Sequence, residues 1–299
     1  MNDKQLGNSD LRISTIGFGC MSLKGDQQAN EKVLHRAIEY GINFFDTADL
    51  YDKGMNEISV GKALKAKRAE VVIATKVGNQ WRPDGSGWDW NPKRDYILTA
   101  VEESLKRLQT DYIDLYQLHG GTMDDLFDET VDAFETLVKQ GKIRYYGISS
   151  IRPNVIKRFV SSSNIISVMM QYSLLDRRPE ENCLPLLEKH NIGVLARGSV
   201  ASGLLVDKPA KNYLSYSREQ VQSAATAIKE ASAQDRSAAQ TAIQFVLAHP
   251  AITSAVVGVR TLEQLRDAAE TVAAPELSSN EIEALRKSLK PNYYTEHRE

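Results

Sequence analysis

Eight short apolar runs, separated by longer and mostly amphipathic stretches, constrain this chain more than any other feature. They are Ile16–Gly19, Ile42–Asp46, Val71–Lys76, Tyr112–Leu118, Ile143–Ser149, Ser167–Gln171, Gly193–Arg197 and Ser254–Val257. Between them lie helical patterns. Leu98, Val101, Leu105 and Leu108 share one helix face, with Glu102 and Lys106 spaced as an i,i+4 ion pair. A second helix is expected from Leu126 to Gln140, with Phe134, Leu137 and Val138 inward and Gly141 as its stop. Asn30 is the expected N-cap of a helix through Val33, Ala37 and Ile38 that ends at Gly41. Strict alternation of strand and helix requires a parallel sheet with right-handed crossovers.

Eight such units over about 270 residues fit a closed α/β barrel of the (β/α)8, or TIM, type. An open doubly wound sheet is the rival. Its glycine-rich dinucleotide loop would follow the first strand, where the chain instead reads Gly19-Cys20-Met21-Ser22-Leu23. Residues 1–14 are expected to form a β-hairpin across the barrel bottom, and extra helices are expected late in the chain, from Ser217 and from Ser278. No polar linker divides the sequence, so residues 1–299 are expected to form one domain.

A net charge of −2 gives no general attraction to nucleic acid or to an anionic membrane. No run approaches the roughly 20 apolar residues that span a bilayer, and the first residues lack a signal-peptide pattern. The two cysteines, Cys20 and Cys183, are too few for a disulfide framework, which points to the cytoplasm. A monomer or weak oligomer is expected.

Strand ends are where a barrel holds its chemistry. Lys76 ends one apolar run, Asp46 another, and His119 a third, with Tyr51 just past Asp46. Each has an ordinary structural reading: a strand-closing lysine, a turn-forming aspartate, a packing tyrosine, a loop histidine. Together they describe a site that polarises and protonates a carbonyl. An ammonium beside a phenol lowers its pKa, a carboxylate fixes the ammonium, and an imidazole holds the carbonyl oxygen. Such a site has no hydride of its own, so a cofactor is implied. Arg260 and the Thr261-x-x-Gln264 capping box, after Gly258, offer a helix N-terminus and a guanidinium to a phosphate, or form a plain helix cap beside a surface arginine. Trp81, Trp88 and Trp90, in the insertion Gly78 to Asn91, are either packing residues or an apolar wall for a substrate. No H-x-x-x-H or C-x-x-C spacing appears, so no metal site is expected.

These residues carry a resemblance. The segments Gly41-Ile42-Asn43-Phe44-Phe45-Asp46-Thr47-Ala48 with Tyr51, Ala74-Thr75-Lys76, Leu105 to His119, Gly141-Lys142-Ile143-Arg144, Gly147-Ile148-Ser149 and Gln171-Tyr172-Ser173-Leu174-Leu175 occur in order. With them the chain resembles an aldo-keto reductase over nearly its full length, and is most similar to the bacterial NADPH-dependent branch. The resemblance implies a barrel that binds NADP(H) without a Rossmann domain and reduces a small-molecule carbonyl compound. It implies Tyr51 as general acid, Lys76 as its modulator, Asp46 as the partner of Lys76, and His119 as the substrate-orienting residue. Tyr51 and His119 would then touch substrate. It places the cofactor against Gly19, Met21, Asp46, Ser149, Ser150, Gln171 and Arg197. The loop Gly198, Ser199, Val200, Ala201, Gly203 and Leu204 would lie over the pyrophosphate, and Gly258, Arg260, Thr261 and Gln264 would hold the adenosine phosphate.

Three positions depart from the family pattern: Ser150 for asparagine, Arg197 for a stacking aromatic ring, and Ala268 for an adenine-reading asparagine. Two further readings are a barrel enzyme with a Schiff-base lysine at Lys76, and a nicotinamide-sensing binding protein.

Overall fold

The structure, a computed structural model, describes residues 2–23, 26–232 and 236–298. Met1 of the expected hairpin and residues 233–235 of the late insertion lie outside the described residues.

The strands, in chain order, are β1 (Asp3–Gln5), β2 (Arg12–Ser14), β3 (Ile16–Gly19), β4 (Phe44–Asp46), β5 (Val72–Val77), β6 (Asn79–Trp81), β7 (Trp88–Trp90), β8 (Ile113–Leu118), β9 (Ile143–Ser149), β10 (Ser167–Gln171), β11 (Gly193–Arg197) and β12 (Ile252–Val257). The helices are α1 (Gln27–Glu39), α2 (Met55–Leu64), α3 (Arg94–Leu108), α4 (Phe127–Lys139), α5 (Pro153–Ser162), α6 (Cys183–Lys189), α7 (Arg218–Ala231), α8 (Ala238–Leu247), α9 (Leu262–Glu270) and α10 (Ser279–Ser288).

Eight parallel strands close in the order β3-β4-β5-β8-β9-β10-β11-β12. All eight expected strands form, with ends shifted by at most two residues: β4 starts at Phe44 rather than Ile42, and β12 at Ile252 rather than Ser254. Outside the barrel, β1 and β2 pair antiparallel, and so do β6 and β7. The first hairpin caps the bottom as expected. Its Leu6, Leu11 and Ile13 join Phe44, Val72, Ala74, Leu115, Met169, Leu195 and Val256 in the barrel interior. Asp114, buried at the bottom, accepts from Arg68 at 2.7 Å and from Arg144 at 2.9 Å.

The alternation of strand side chains decides where the site lies. Phe44 points into the barrel and Phe45 out toward the helices. In β5, Val72 and Ala74 point in and Ile73 and Val77 point out. The next inward positions are therefore Asp46 and Lys76. The same count from Leu115, Tyr145, Met169, Leu195 and Val256 gives Gln117 and His119, Ser149, Gln171, Arg197 and Gly258. Two of the late helices begin as the sequence indicates: α7 and α10 carry capping boxes at Ser217 with Gln220 and at Ser278 with Glu281.

Several local expectations are corrected. The N-cap of α1 is Asp26, whose carboxylate accepts from Ala29 N–H at 2.8 Å. Asn30 lies inside that helix, buried, donating to Ser59 at 3.0 Å. Glu102 pairs with Lys142 across the α3–β9 boundary instead of with Lys106. Val138 is only partly buried against the core. Ala268 faces the core at 4% exposure, because it shares the inner side of α9 with Leu265 and Ala269.

Candidate active site

Asp46, Tyr51, Lys76 and His119 meet at the C-terminal mouth of the barrel. The Lys76 ammonium is fully buried and spends its three donors locally. It donates to Asp46 Oδ2 at 2.7 Å, to the Thr47 carbonyl at 2.6 Å and to the Tyr51 hydroxyl at 3.4 Å. Gln117 Nε2 holds the other Asp46 oxygen at 3.3 Å. The ring of His119 stands edge-on to that of Tyr51, centroids 6.0 Å apart. Its Nδ1 is buried without a hydrogen-bond partner.

Tyr51 is brought there by a constrained turn. Asp52 and Lys53 adopt left-handed φ values of 49° and 52°, and Gly54 follows at 85°. Left-handed geometry costs an L-residue roughly 1–2 kcal/mol, so the turn must be held from outside. Arg107 does so from beneath: a Cβ on Gly54 would stand 2.8 Å from Arg107 Cδ. Arg107 itself donates to buried Glu57 at 2.7 Å. On the other side, Trp81 donates to the Leu50 carbonyl at 3.3 Å.

Burial decides the electrostatics. It pushes the Asp46 carboxyl up, with Lys76 and Gln117 pulling the other way. It opposes the Lys76 charge, which Asp46 and Tyr51 more than offset, so that pKa is raised. His119 falls to about 3, first through burial and then through the charges of Lys76 and Arg197. It is therefore a neutral imidazole near pH 7. Behind the turn, Asp49 is pushed up to about 8 by burial and by Glu57, against Arg107.

The other half of the rim differs in character. Following β9 to β12 around the mouth gives Ser149, Gln171, Arg197 and Gly258. Ser150 follows Ser149 and is buried. Gln171 is fixed at both ends, accepting from Arg197 at 3.1 Å and donating to the Tyr213 hydroxyl at 2.9 Å. The loop after β11 carries positive φ at Gly198, Ala201, Ser202 and Gly203. Its Ser199 hydroxyl is buried without a partner. Ala201 and Leu204 bury their side chains in the core. Gly258 packs against Ser22, where a Cβ would stand 2.5 Å from the hydroxyl, and Gly19 lies beside it. Met21, on the same rim, is 63% exposed.

At α9, Thr261 caps the Gln264 N–H at 3.1 Å. The expected reciprocal bond is displaced by one residue: Gln264 Oε1 accepts from Arg260 N–H at 2.9 Å. The Arg260 side chain is exposed. The tryptophans separate. Trp81 lies beside the Tyr51 turn. Trp90 packs on Gly78 and Gly120 and donates to Asp125 at 2.8 Å, while Trp88 is 47% exposed. Gln117 and Tyr213 were missed by sequence reasoning. A glutamine inside the apolar run Ile113 to Leu118 was the available signal for the first; nothing marked the second.

The profile of the aldo/keto reductase family matches residues 15–290. The chain belongs to this family. An uncharacterized oxidoreductase of Bacillus subtilis is 51% identical over the full length of both chains. An aldo-keto reductase of Bacillus halodurans, in its holo form, superposes with a TM-score of 0.94 at 48% identity, covering 100% of each chain; its apo form gives 0.87. A glycerol dehydrogenase of Gluconobacter oxydans gives 0.87 at 25% identity, covering 98% of each chain. As an aldo-keto reductase the chain is an oxidoreductase.

Proposed function

We propose that this aldo-keto reductase reduces aldehydes or ketones with NADPH, and that Tyr51 supplies the proton. One observation carries the reading: a single buried ammonium, Lys76, touches both a carboxylate and the phenol oxygen of Tyr51.

The donor set on the other half of the rim suits a nicotinamide dinucleotide. Gln171 and Ser149 offer amide and hydroxyl groups to a carboxamide. The orphaned Ser199 hydroxyl and the glycine-rich turn suit a pyrophosphate. Arg260 and the N-terminus of α9 suit a ribose phosphate. Similarity to a holo form above an apo form supports a backbone ready for a ligand.

When bound, the reduced nicotinamide supplies hydride to the carbonyl carbon. The protein's part is positional and protonic. His119, neutral, offers a hydrogen bond to the carbonyl oxygen without competing as a cation. Tyr51 gives its hydroxyl proton to that oxygen. Lys76, 3.4 Å away, stabilises the charge that develops on the phenol oxygen as the proton leaves. Asp46, held by Gln117, keeps Lys76 in place. Trp81 braces the turn that aims Tyr51. The Schiff-base alternative is disfavoured, because Lys76 is fully buried and bonded to a carboxylate; a paired ammonium is a poor nucleophile.

A spectrophotometric screen at 340 nm, offering NADPH and NADH against short dicarbonyls, aromatic aldehydes and sugars, tests the reading. Oxidation of NADPH dependent on a carbonyl compound supports it; none with any member rejects it.

A further inference from the structure

One fully buried carboxylate, Glu57, touches the supports of both Lys76 and Tyr51. It lies on α2, in the layer between the barrel wall and helices α2 and α3. A buried carboxylate costs stability unless its oxygens are matched, and an apolar side chain of similar volume serves packing as well or better. Both oxygens are matched here. Oε1 accepts from the Thr75 hydroxyl at 2.5 Å. Oε2 accepts from Arg107 Nε at 2.7 Å and from the Ser104 hydroxyl at 3.3 Å. These donors lead to the two halves of the proton site. Thr75 is the buried outward residue of β5 directly before the inward Lys76. Arg107 lies under Gly54, the last residue of the left-handed turn that carries Tyr51. Asn56, beside Glu57, accepts from the Thr47 hydroxyl at 2.6 Å, and the Thr47 carbonyl in turn receives Lys76.

The Lys76 ammonium and the Tyr51 hydroxyl come from different elements, yet they stand 3.4 Å apart. Strand β5 places the first, and the turn from Tyr51 to Gly54 places the second. Resting on the function proposed above, we infer that Glu57 is a positioning residue for the proton transfer: by tying the turn to β5 it fixes the Tyr51 hydroxyl against the Lys76 ammonium. It lies behind the barrel wall and acts only through Thr75 and Arg107. An amide at this place keeps the shape but offers one acceptor oxygen to donors that now hold two. The tie then loosens at one arm. A displacement of about 1 Å between reacting groups costs up to about a hundredfold in rate.

The test is a double-mutant cycle. It compares kcat with NADPH and a carbonyl compound in wild type, Glu57→Gln, Tyr51→Phe and the double variant, together with the NADPH dissociation constant of each from fluorescence titration. Glu57→Gln is expected to lower kcat about tenfold while KM and the NADPH constant stay within about twofold. In the Tyr51→Phe background the same substitution changes kcat by less than about twofold, because the hydroxyl that Glu57 aims is gone. Thr75→Val cuts only the strand arm and leaves Glu57 paired with Arg107. It gives a smaller loss with the same dependence on the Tyr51 hydroxyl, and it carries the test alone where Glu57→Gln does not fold. No loss of kcat, or an equal factor lost with and without the hydroxyl, as for a residue that only holds the fold together, overturns the inference and leaves the reductase reading intact. A wild type that oxidises NADPH with no carbonyl compound overturns both.

Discussion

Lys76 and Asp46 face each other from β5 and β4 with 2.7 Å between ammonium nitrogen and carboxylate oxygen, at side-chain exposures of only 1% and 6%. An ion pair so enclosed is a weak contributor to stability, since desolvation offsets much of the attraction, but removing one partner leaves a buried charge alone. Lys76→Met is expected to destabilise the fold by about 3–5 kcal/mol in denaturant unfolding. Asp46→Asn, Lys76→Met together should recover part of that loss and none of the activity. Equal destabilisation by the single and double variants would show that the pair is not coupled.

His119 provides a pH signature. Its folded pKa, about 3, lies below the ordinary histidine value, so between the two the unfolded chain binds a proton that the folded chain does not. Stability is therefore fully present above about pH 6.5 and is lost as pH falls toward 3. His119→Asn should flatten this slope by on the order of 2 kcal/mol, after discounting for partial exposure. Urea midpoints at pH 7 and pH 4.5 in both proteins check it.

Asp49 works in the opposite sense. Its folded pKa of about 8 lies above the unfolded carboxylate value, so folding retains a proton that the unfolded chain releases. Stability from this group is present at low pH and lost as pH rises from about 4 through 8. Asp49→Asn, which keeps the shape and removes the charge, should raise the melting temperature at pH 8 and change it little at pH 5. A variant melting lower than wild type at pH 8 would refute this.

Arg260 stands exposed at the entrance to α9, bound to Gln264 only through its backbone N–H. If its guanidinium receives the 2′-phosphate, Arg260→Ala weakens NADPH binding by about tenfold or more, as expected for loss of a charge-assisted bond, and leaves NADH nearly unchanged. Parallel losses for both cofactors in equilibrium titration would remove that role.

The barrel was legible in the sequence because eight short apolar runs alternating with helical patterns leave few topologies. The four residues of the proton site were legible for the same reason: three end an inward strand face, and Tyr51 lies five residues past one of them. What escaped was set by tertiary competition. Asp26 wins the N-cap of α1 over Asn30 because the chain enters the helix one turn earlier, and Asn30 then finds Ser59 on a neighbouring helix. Glu102 reaches Lys142 on another element in preference to its own helix. Tyr213, which orients Gln171, lies 42 positions away in an irregular segment, where no periodic pattern reports proximity.

The role of Tyr51 rests on a single oxygen atom. Replacing the tyrosine by phenylalanine removes that atom and keeps the ring against His119. We expect Tyr51→Phe to lower kcat for carbonyl reduction by at least about a hundredfold, the usual contribution of a positioned proton donor, with the NADPH dissociation constant within about twofold of wild type. Steady-state NADPH oxidation at full strength in this variant would mean that another group gives the proton.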